Sequence, residues 1–476
     1  MKLVKLLGAV GTVVAAVGTG FGEVVTWPAA PGTAATDGAY QVSVNGKSVD
    51  VCYIEKPSMA DGQLQWKDGP DNLHPYYFTM FDADEEVEVT VTSTNDLSKT
   101  RILPTRRGIR PSECSAHRVV FRARPPFKLS FEPQPRHRAL VFSAQLPEKD
   151  VPDRTDPKVR WFGPGRHHFD KPIILGKGQT LYLAPGAWVE AAVFGRGCDG
   201  ARIRGRGVLS GLCWPWRKGP ADRMVDVSGR DVRLEGVTIV GSYHWCVVLE
   251  RCENAVVRGI NILNGHVLND DGIDVVKSRH VTIEDVFIRA QDDCIAPKYW
   301  CEDLKVRNAV LWTDVANIFR IGYECEGAGY RFADFDVRGV DILHQSIHKP
   351  AAGKMWSENA VYIQASNDMP FENISFADVR FDAPEPGDNL ACILTQRTQD
   401  RWNRHKEPGD VRNVTFDGIA FPNGLPENSE SIWIENVDDG RTVDGVCFRN
   451  VGGALPVVRK GNVTNCGVRP SDLSVQ

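Results

Sequence analysis

The sequence predicts an all-β protein: a parallel β-helix preceded by a small antiparallel β-sandwich. Two observations carry this. Beyond about Trp161, strands of three to five residues follow one another with almost no helical periodicity. Within that region one pattern recurs seven times, as Gly236-Val237-Thr238-Ile239, Gly259-Ile260-Asn261-Ile262, Asp285-Val286-Phe287-Ile288, Asn308-Ala309-Val310-Leu311, Gly339-Val340-Asp341-Ile342, Asp378-Val379-Arg380-Phe381 and Gly418-Ile419-Ala420-Phe421. The last residues of these copies lie 23, 26, 23, 31, 39 and 40 positions apart, so the repeat is shortest in the middle and lengthened afterwards. A unit this short cannot bury its own apolar side, so consecutive coils must stack into parallel sheets with Ile and Val ladders inside. A propeller blade needs about 40–45 residues and four strands, more than the central copies contain.

Taken in order, Lys2 and Lys5 precede the apolar run Leu6 to Val17, and residues 1–22 read as an export signal. The run is shorter than the roughly 20 apolar residues that span a bilayer, and no other segment is long enough, so no membrane span is expected after signal removal. Residues 23–38 are rich in Pro, Ala and Gly and read as a linker. From 39 to 150 short alternating runs recur between turns, among them Tyr40 to Val44, Val87 to Val91, Val119 to Phe121 and Ala139 to Phe142, the signature of a β-sandwich. It concentrates no catalytic residue types, which suits support or substrate contact. The change near Trp161-Phe162-Gly163-Pro164-Gly165 falls within the second unit, 151–466, expected to close at Val446-Cys447-Phe448 and to leave 467–476 as a tail.

With 42% hydrophobic and 25% charged residues and a net charge of -5 over 476 residues, the chain lacks the basic bias of a nucleic-acid binder. Its 12 cysteines include no CxxC pair, and there is no HExxH, which argues against structural zinc or a zincin site. Most read as packed core thiols, although Cys246/Cys252 and Cys294/Cys301 are close enough in sequence to pair. Nothing in the sequence bears on oligomeric state.

Two acidic clusters stand out, Asn269-Asp270-Asp271-Gly272-Ile273-Asp274 and Gln291-Asp292-Asp293-Cys294. Asp271 and Asp292 are 21 residues apart, about one coil, and neighbouring strands of a sheet lie about 4.7–4.9 Å apart. Crowded carboxylates disfavour one another's charge, so one keeps its proton. An acid that donates a proton beside a base that activates water is what glycoside hydrolysis uses, with no organic cofactor. Solvated turn acids are one alternative. A calcium site drawn from Asp270, Asp271, Asp274, Asp292 and Asp293 is another.

Tyr243-His244-Trp245 falls one coil before the first cluster and Tyr299-Trp300 follows the second, so aromatics suited to sugar faces flank the acids; each also suits a core. Lys298 either bonds a sugar hydroxyl or neutralises the acids. Arg320, Tyr323 and Glu324 extend the same face in the next coil. His344 and His348 lie in a long insertion, open to a groove-wall role or plain exposure. Asn373, Asn413 and Asn462 match glycosylation sequons, which turn asparagines also produce by accident.

At these residues the sequence resembles the inverting polysaccharide hydrolases of the polygalacturonase family (glycoside hydrolase family 28) and the related dextranase/isopullulanase family (family 49). The resemblance runs from Trp161 to Phe381 and is most specific from Ser242 to Lys298. Asn269-Asp270-Asp271-Gly272 is similar to the Asn-Thr-Asp-Gly motif, with Asp270 in place of Thr, and Gln291-Asp292-Asp293-Cys294 to the Gln-Asp-Asp-Cys motif. It implies a right-handed β-helix, with Asp292 as general acid and Asp271 and Asp293 holding and deprotonating the attacking water. Two departures bear on substrate. Ala316-Asn317-Ile318 stands where polygalacturonases carry Gly-His-Gly, and Tyr362-Ile363-Gln364 where they carry Arg-Ile-Lys, whose cations bind the uronate carboxylate. A polysaccharide or oligosaccharide substrate is therefore expected, and a neutral, dextran-like glycan before pectin. A polysaccharide lyase and a non-catalytic glycan-binding β-helix are the remaining alternatives.

Overall fold

A computed structural model of the chain describes residues 22–55, 75–265, 267–345, 359–384, 391–395, 407–424, 432–437, 440–452, 457–461, 463–464 and 466–468. Nearly all of the expected export signal and tail, together with His348 and Asn462, lie outside the described residues.

The N-terminal part is two packed sheets. One has five strands in the order Lys47–Val49, Gln41–Val44, Val87–Thr92, Arg118–Ala123 and Glu113–Cys114. The other runs Val24–Val25, Tyr76–Ala83, Leu140–Gln145, Phe127–Glu132 and Arg101–Leu103, with Val51–Ile54 also on Tyr76–Ala83. Period-two alternation does the sorting: in Val87–Thr92 the three valines are buried between the sheets while Glu88, Thr90 and Thr92 are half-buried. Two expectations are corrected. The segment read as a linker supplies an edge strand, Val24 and Val25 pairing with Ala83 and Asp82, because Val24 is apolar enough to complete the core. The sandwich is also not wholly antiparallel, since Leu140–Gln145 runs parallel to Tyr76–Ala83.

Among the described residues from Val159 to Val468, 27 strands pair in parallel, forming a β-helix. The repeat read from the sequence is the register of the coils: Ile239 sits beside Ile262, Ile262 beside Ile288, Ile288 beside Leu311, Leu311 beside Ile342 and Ile342 beside Phe381. The rings of Phe381 and Phe421 continue the column, stacked 5.0 Å apart. Val446-Cys447-Phe448 does not close the helix. Phe448 continues a different column, Phe376–Phe416–Phe448, with rings 5.1 and 4.7 Å apart, and the strands 457–460, 463–464 and 467–468 follow. Cys246, Cys252, Cys294 and Cys301 are free thiols of the core, so neither of the two candidate pairs is joined.

The two parts share an apolar cluster in which Tyr76, Phe78 and Val141 of the sandwich meet Trp188, Val240, Leu263 and Trp312 of the helix. Polar ties flank it: Lys128 Nζ donates to Asn261 Oδ1 at 2.6 Å, and Arg106 Nε to Asp341 Oδ1 at 2.8 Å. Among the described residues no helix is long and apolar enough to cross a membrane.

Candidate active site

The acidic clusters occupy turns that lead into two adjacent strands, Ile273–Ala290 and Ile295–Thr313. Alternation points Ile273, Val275 and Ile295 into the core and leaves Asp274 and Lys298 on the outer face. Ile273 sits beside Ile295, an offset of 22 residues, and the next coil continues from Ile295 to Phe319. Carried into the turns, that register places Asp271 beside Asp293 and Asp270 beside Asp292. Asp271 and Asp292, expected as the aligned pair, are instead diagonal neighbours, because the coil is one residue longer than their spacing. All three acids still converge, and one oxygen from each of Asp271, Asp292 and Asp293 lies within 4.8 Å of the others.

Their surroundings differ. Asp271 is 2% exposed; its Oδ2 accepts from Lys298 Nζ at 2.7 Å and its Oδ1 has no partner. Asp293 Oδ1 accepts from the Asn317 backbone N–H at 3.0 Å and from Asn317 Nδ2 at 2.7 Å. Burial and the charge of Asp271 push the Asp293 carboxyl up to about 6, against Lys298, Arg320 and the Asn317 bond. Asp292 is half-buried, accepting from Asn269 Nδ2 at 3.3 Å and from the Asp293 backbone N–H at 3.0 Å. Burial, then the charges of Asp271 and Asp293, lift it well above the ordinary carboxylate range. Like charges confined together push their pKa values apart, leaving a protonated acid beside an ionised base.

Lys298 resolves the choice posed by the sequence in favour of neutralisation. Its ammonium lies 2.7 Å from Asp271 and 2.8 Å from Asp274, and 3.7 Å from the Trp245 ring centroid. Burial alone would depress it, but those two carboxylates hold it well above the usual lysine range. The ammonium thus neutralises Asp271 and Asp274, while Asp292 and Asp293 lie on the other side of Asp271.

The cleft over the three aspartates has a volume of about 580 Å³. His244, Trp245, Asn269, Lys298, Tyr299, Asn317, Arg320, Tyr323 and Glu324, all expected at the site, line it. His244 Nδ1 faces the Asp222 carbonyl at 2.7 Å and so carries the proton, leaving Nε2 as an unpartnered acceptor; burial depresses its pKa. Buried polar atoms normally find partners. Here Asp271 Oδ1, His244 Nε2, Gln291 Oε1, Arg320 Nη1 and Glu324 Oε2 have none, and all five belong to residues lining one cleft.

Three expectations are corrected. Trp300 is not part of the lining: it stacks on Tyr330 at 5.8 Å, carried off the face because its neighbour Tyr299 is turned by a positive φ of 67° at the strand irregularity. Tyr362 is only 3% exposed and lies against the Arg320 guanidinium at 3.8 Å, supporting it. His344 is neither wall nor exposed, being buried against Glu132 of the sandwich. Sequence reasoning weighed Asp274 only as one of the calcium ligands, whereas it shares Lys298 with Asp271. It passed over Arg217, Asp222 and Arg223 in the lining, which come from an irregular stretch two coils before the first cluster with no motif to mark them.

Residues 197–313, the stretch holding both clusters, match the profile of Glycosyl hydrolases family 28. No curated protein matches the sequence. Among solved structures, Dex49A from Penicillium minioluteum superposes with a TM-score of 0.54 at 15% identity, covering 88% of this chain and 92% of its own. A family 28 exopolygalacturonase from Yersinia enterocolitica gives 0.44 at 12% identity over 95% and 97%. A GH87 alpha-1,3-glucanase from Streptomyces thermodiastaticus gives 0.48 at 14% over 94% and 85%. The chain is a glycoside hydrolase with a right-handed parallel β-helix fold: over residues 197–313 it is similar to family 28, and in fold it is similar to Dex49A.

Proposed function

We propose that the protein is an exported hydrolase that cuts a neutral polysaccharide or oligosaccharide with inversion, Asp292 acting as general acid and Asp271 and Asp293 as the pair that holds and deprotonates water. The carrying observation is the cluster itself: three buried or half-buried carboxyls with oxygens within 4.8 Å of one another, lining one cleft, with Asp292 raised well above the ordinary carboxylate range. Asp292 protonates the departing glycosidic oxygen, while a water held by Asp271 and Asp293 attacks the anomeric carbon and passes its proton to one of them. Inversion rests on the resemblance, since oxygens within 4.8 Å of one another stand closer than the roughly 6.5–9.5 Å between carboxyl groups usual for inversion.

The neutral substrate is supported by how Lys298, Arg223 and one nitrogen of Arg320 are committed, although Arg320 Nη1 keeps no partner. Lys298 is held by Asp271 and Asp274, Arg320 donates through Nη2 to Gln364 Oε1 at 2.7 Å, and Arg223 lies 3.3 Å from Asp222 and 3.5 Å from Asp226. Gln364 stands in the coil position after Gly322, where a uronate reader would need its cation. The test is a panel of dextran, other neutral glucans and polygalacturonate read by reducing ends, with the product anomer followed by NMR. Hydrolysis of neutral glycans that Asp292→Asn abolishes is expected. Selective activity on polygalacturonate sinks the substrate, retention sinks the stereochemistry, and activity persisting in Asp292→Asn sinks the acid assignment. Ultraviolet-absorbing unsaturated products would mark a lyase.

A further inference from the structure

We infer that Tyr76, on the sandwich, is a positioning residue for Asp292, acting through Asn264 and Asp270, so that the sandwich is part of the catalytic apparatus. This rests on the reading of Asp292 as the acid. Tyr76 opens the strand Tyr76–Ala83, is 2% exposed, and lies with its ring 4.1 Å from the Arg289 guanidinium. Its single hydroxyl proton is directed at two carbonyl oxygens of the helix, those of Leu263 and, at 2.6 Å, Asn264.

Asn264 is fully buried and spends both ends of its amide on the turns beside the site. Its Oδ1 accepts from the Ser242 N–H at 3.0 Å, two residues before His244, and its Nδ2 donates to the Asp270 carbonyl at 3.1 Å. Asp270, also fully buried, then accepts three backbone N–H groups: Gly265 at 2.7 Å on Oδ2, and Gln291 at 2.7 Å and Asp292 at 3.3 Å on Oδ1. A threonine hydroxyl, which the related motif carries at this place, could accept only part of that set, so the substitution of Asp for Thr is explained by the load it bears. The other side of the acid's backbone is fixed as well, since Thr313 Oγ1 donates to the Asp292 carbonyl at 2.7 Å. Next to it, Asp314 accepts from Trp312 Nε1 at 2.7 Å and from Arg289 Nη2 at 3.1 Å, with Arg136 of the sandwich 3.7 Å away. Both anchors of Asp292 therefore lead to a sandwich side chain, one through three hydrogen bonds to Tyr76 and the other through Thr313 and its neighbour Asp314 to the Arg136 guanidinium.

The geometry gives a linear chain with its driver in one part of the molecule and its output in the other. Removing the Tyr76 hydroxyl frees the 264–270 turn, lets Asp270 shift, and misplaces the acid without touching the cleft. Tyr76→Phe keeps the ring and its cation contact, and Asp270→Asn turns an amide donor toward N–H groups that need an acceptor. Either variant is expected to lower kcat about ten-fold with KM nearly unchanged, as sub-ångström misplacement of a catalytic group does. The alkaline limb of the kcat profile should also move to lower pH as water reaches Asp292. Hydrogen exchange of the Gln291 and Asp292 amides should quicken in both variants, a readout that needs no substrate. The double variant should be no worse than the worse single one, because links in one chain are not additive. Kinetics are read on whichever of dextran or polygalacturonate the parent hydrolyses. If Tyr76→Phe and Asp270→Asn both keep kcat within two-fold and leave these amides protected, the inference falls, whatever happens to Tm. If Asp292→Asn retains activity while the amides do respond, the coupling stands and only the acid assignment falls.

Discussion

Asp292 and Lys298 divide the work at the scale of single residues. Replacing Asp292 by Asn keeps the shape and removes the proton, so kcat should fall by about 10²–10⁴-fold with folding unchanged, checked by steady-state rates beside a thermal melt. Asp293 must be ionised to serve as base and Asp292 protonated to serve as acid. Activity should therefore rise as pH climbs through about 6 and fall again once Asp292 loses its proton. The two limbs belong to the coupled cluster and not to one group each. Lys298→Met removes a charge that holds Asp293 down, so the rising limb should move to higher pH; it also strands Asp271 and Asp274, at a cost of about 3–5 kcal/mol in a denaturant titration. At this scale the acids were legible because clustered Asp residues stand out in apolar sequence. Asp274 and Lys298 were not legible as a pair, since their meeting depends on the 22-residue register that sets Lys298 beside Val276, one step along the same face from Asp274.

The coil is the element that turns sequence spacing into proximity, and its tolerance is small at the turns. Gly272 has backbone against it: a Cβ there would meet the Cys294 carbonyl oxygen at 2.4 Å and Ile288 Cγ2 at 2.6 Å. Gly272→Ala should therefore part the two catalytic turns, costing about 1–3 kcal/mol by overpacking and abolishing most activity; a variant with parental kcat would refute this. The seven-fold repeat was readable because each copy ends in an inward Ile, Leu or Phe whose neighbours above and below must also be apolar. The offset of 22 between the acidic turns was not, because turn length varies freely while strands stay in register, as the jump from 23 to 40 residues between copies shows. The same freedom hid the fate of Trp300, whose side depends on one positive φ at Tyr299.

For the molecule as a whole, the sandwich and helix fold as partners. Leu263, Trp312 and Val240 of the helix are nearly inaccessible, and each belongs to the apolar cluster that also takes in Tyr76, Phe78 and Val141. A chain beginning near residue 151 would expose that cluster and is expected to aggregate, seen as loss of soluble monomer in size-exclusion chromatography. The sequence announced two all-β parts through a change from alternating runs between turns to strands recurring at the interval of a coil. It could not announce their interlock, because Tyr76 and Asn264 are 188 positions apart and neither sits in a motif.

The ammonium of Lys298 carries a last consequence for how the enzyme meets its surroundings. A hydrolase that borrowed a divalent ion to quiet its acids would depend on the supply of that ion. Here the counter-ion is tethered by peptide bonds and shielded by the Trp245 ring, so it can be neither chelated nor diluted away. Rates in EDTA and in millimolar calcium should agree within about two-fold, with little response to ionic strength, because buried pairs are weakly screened.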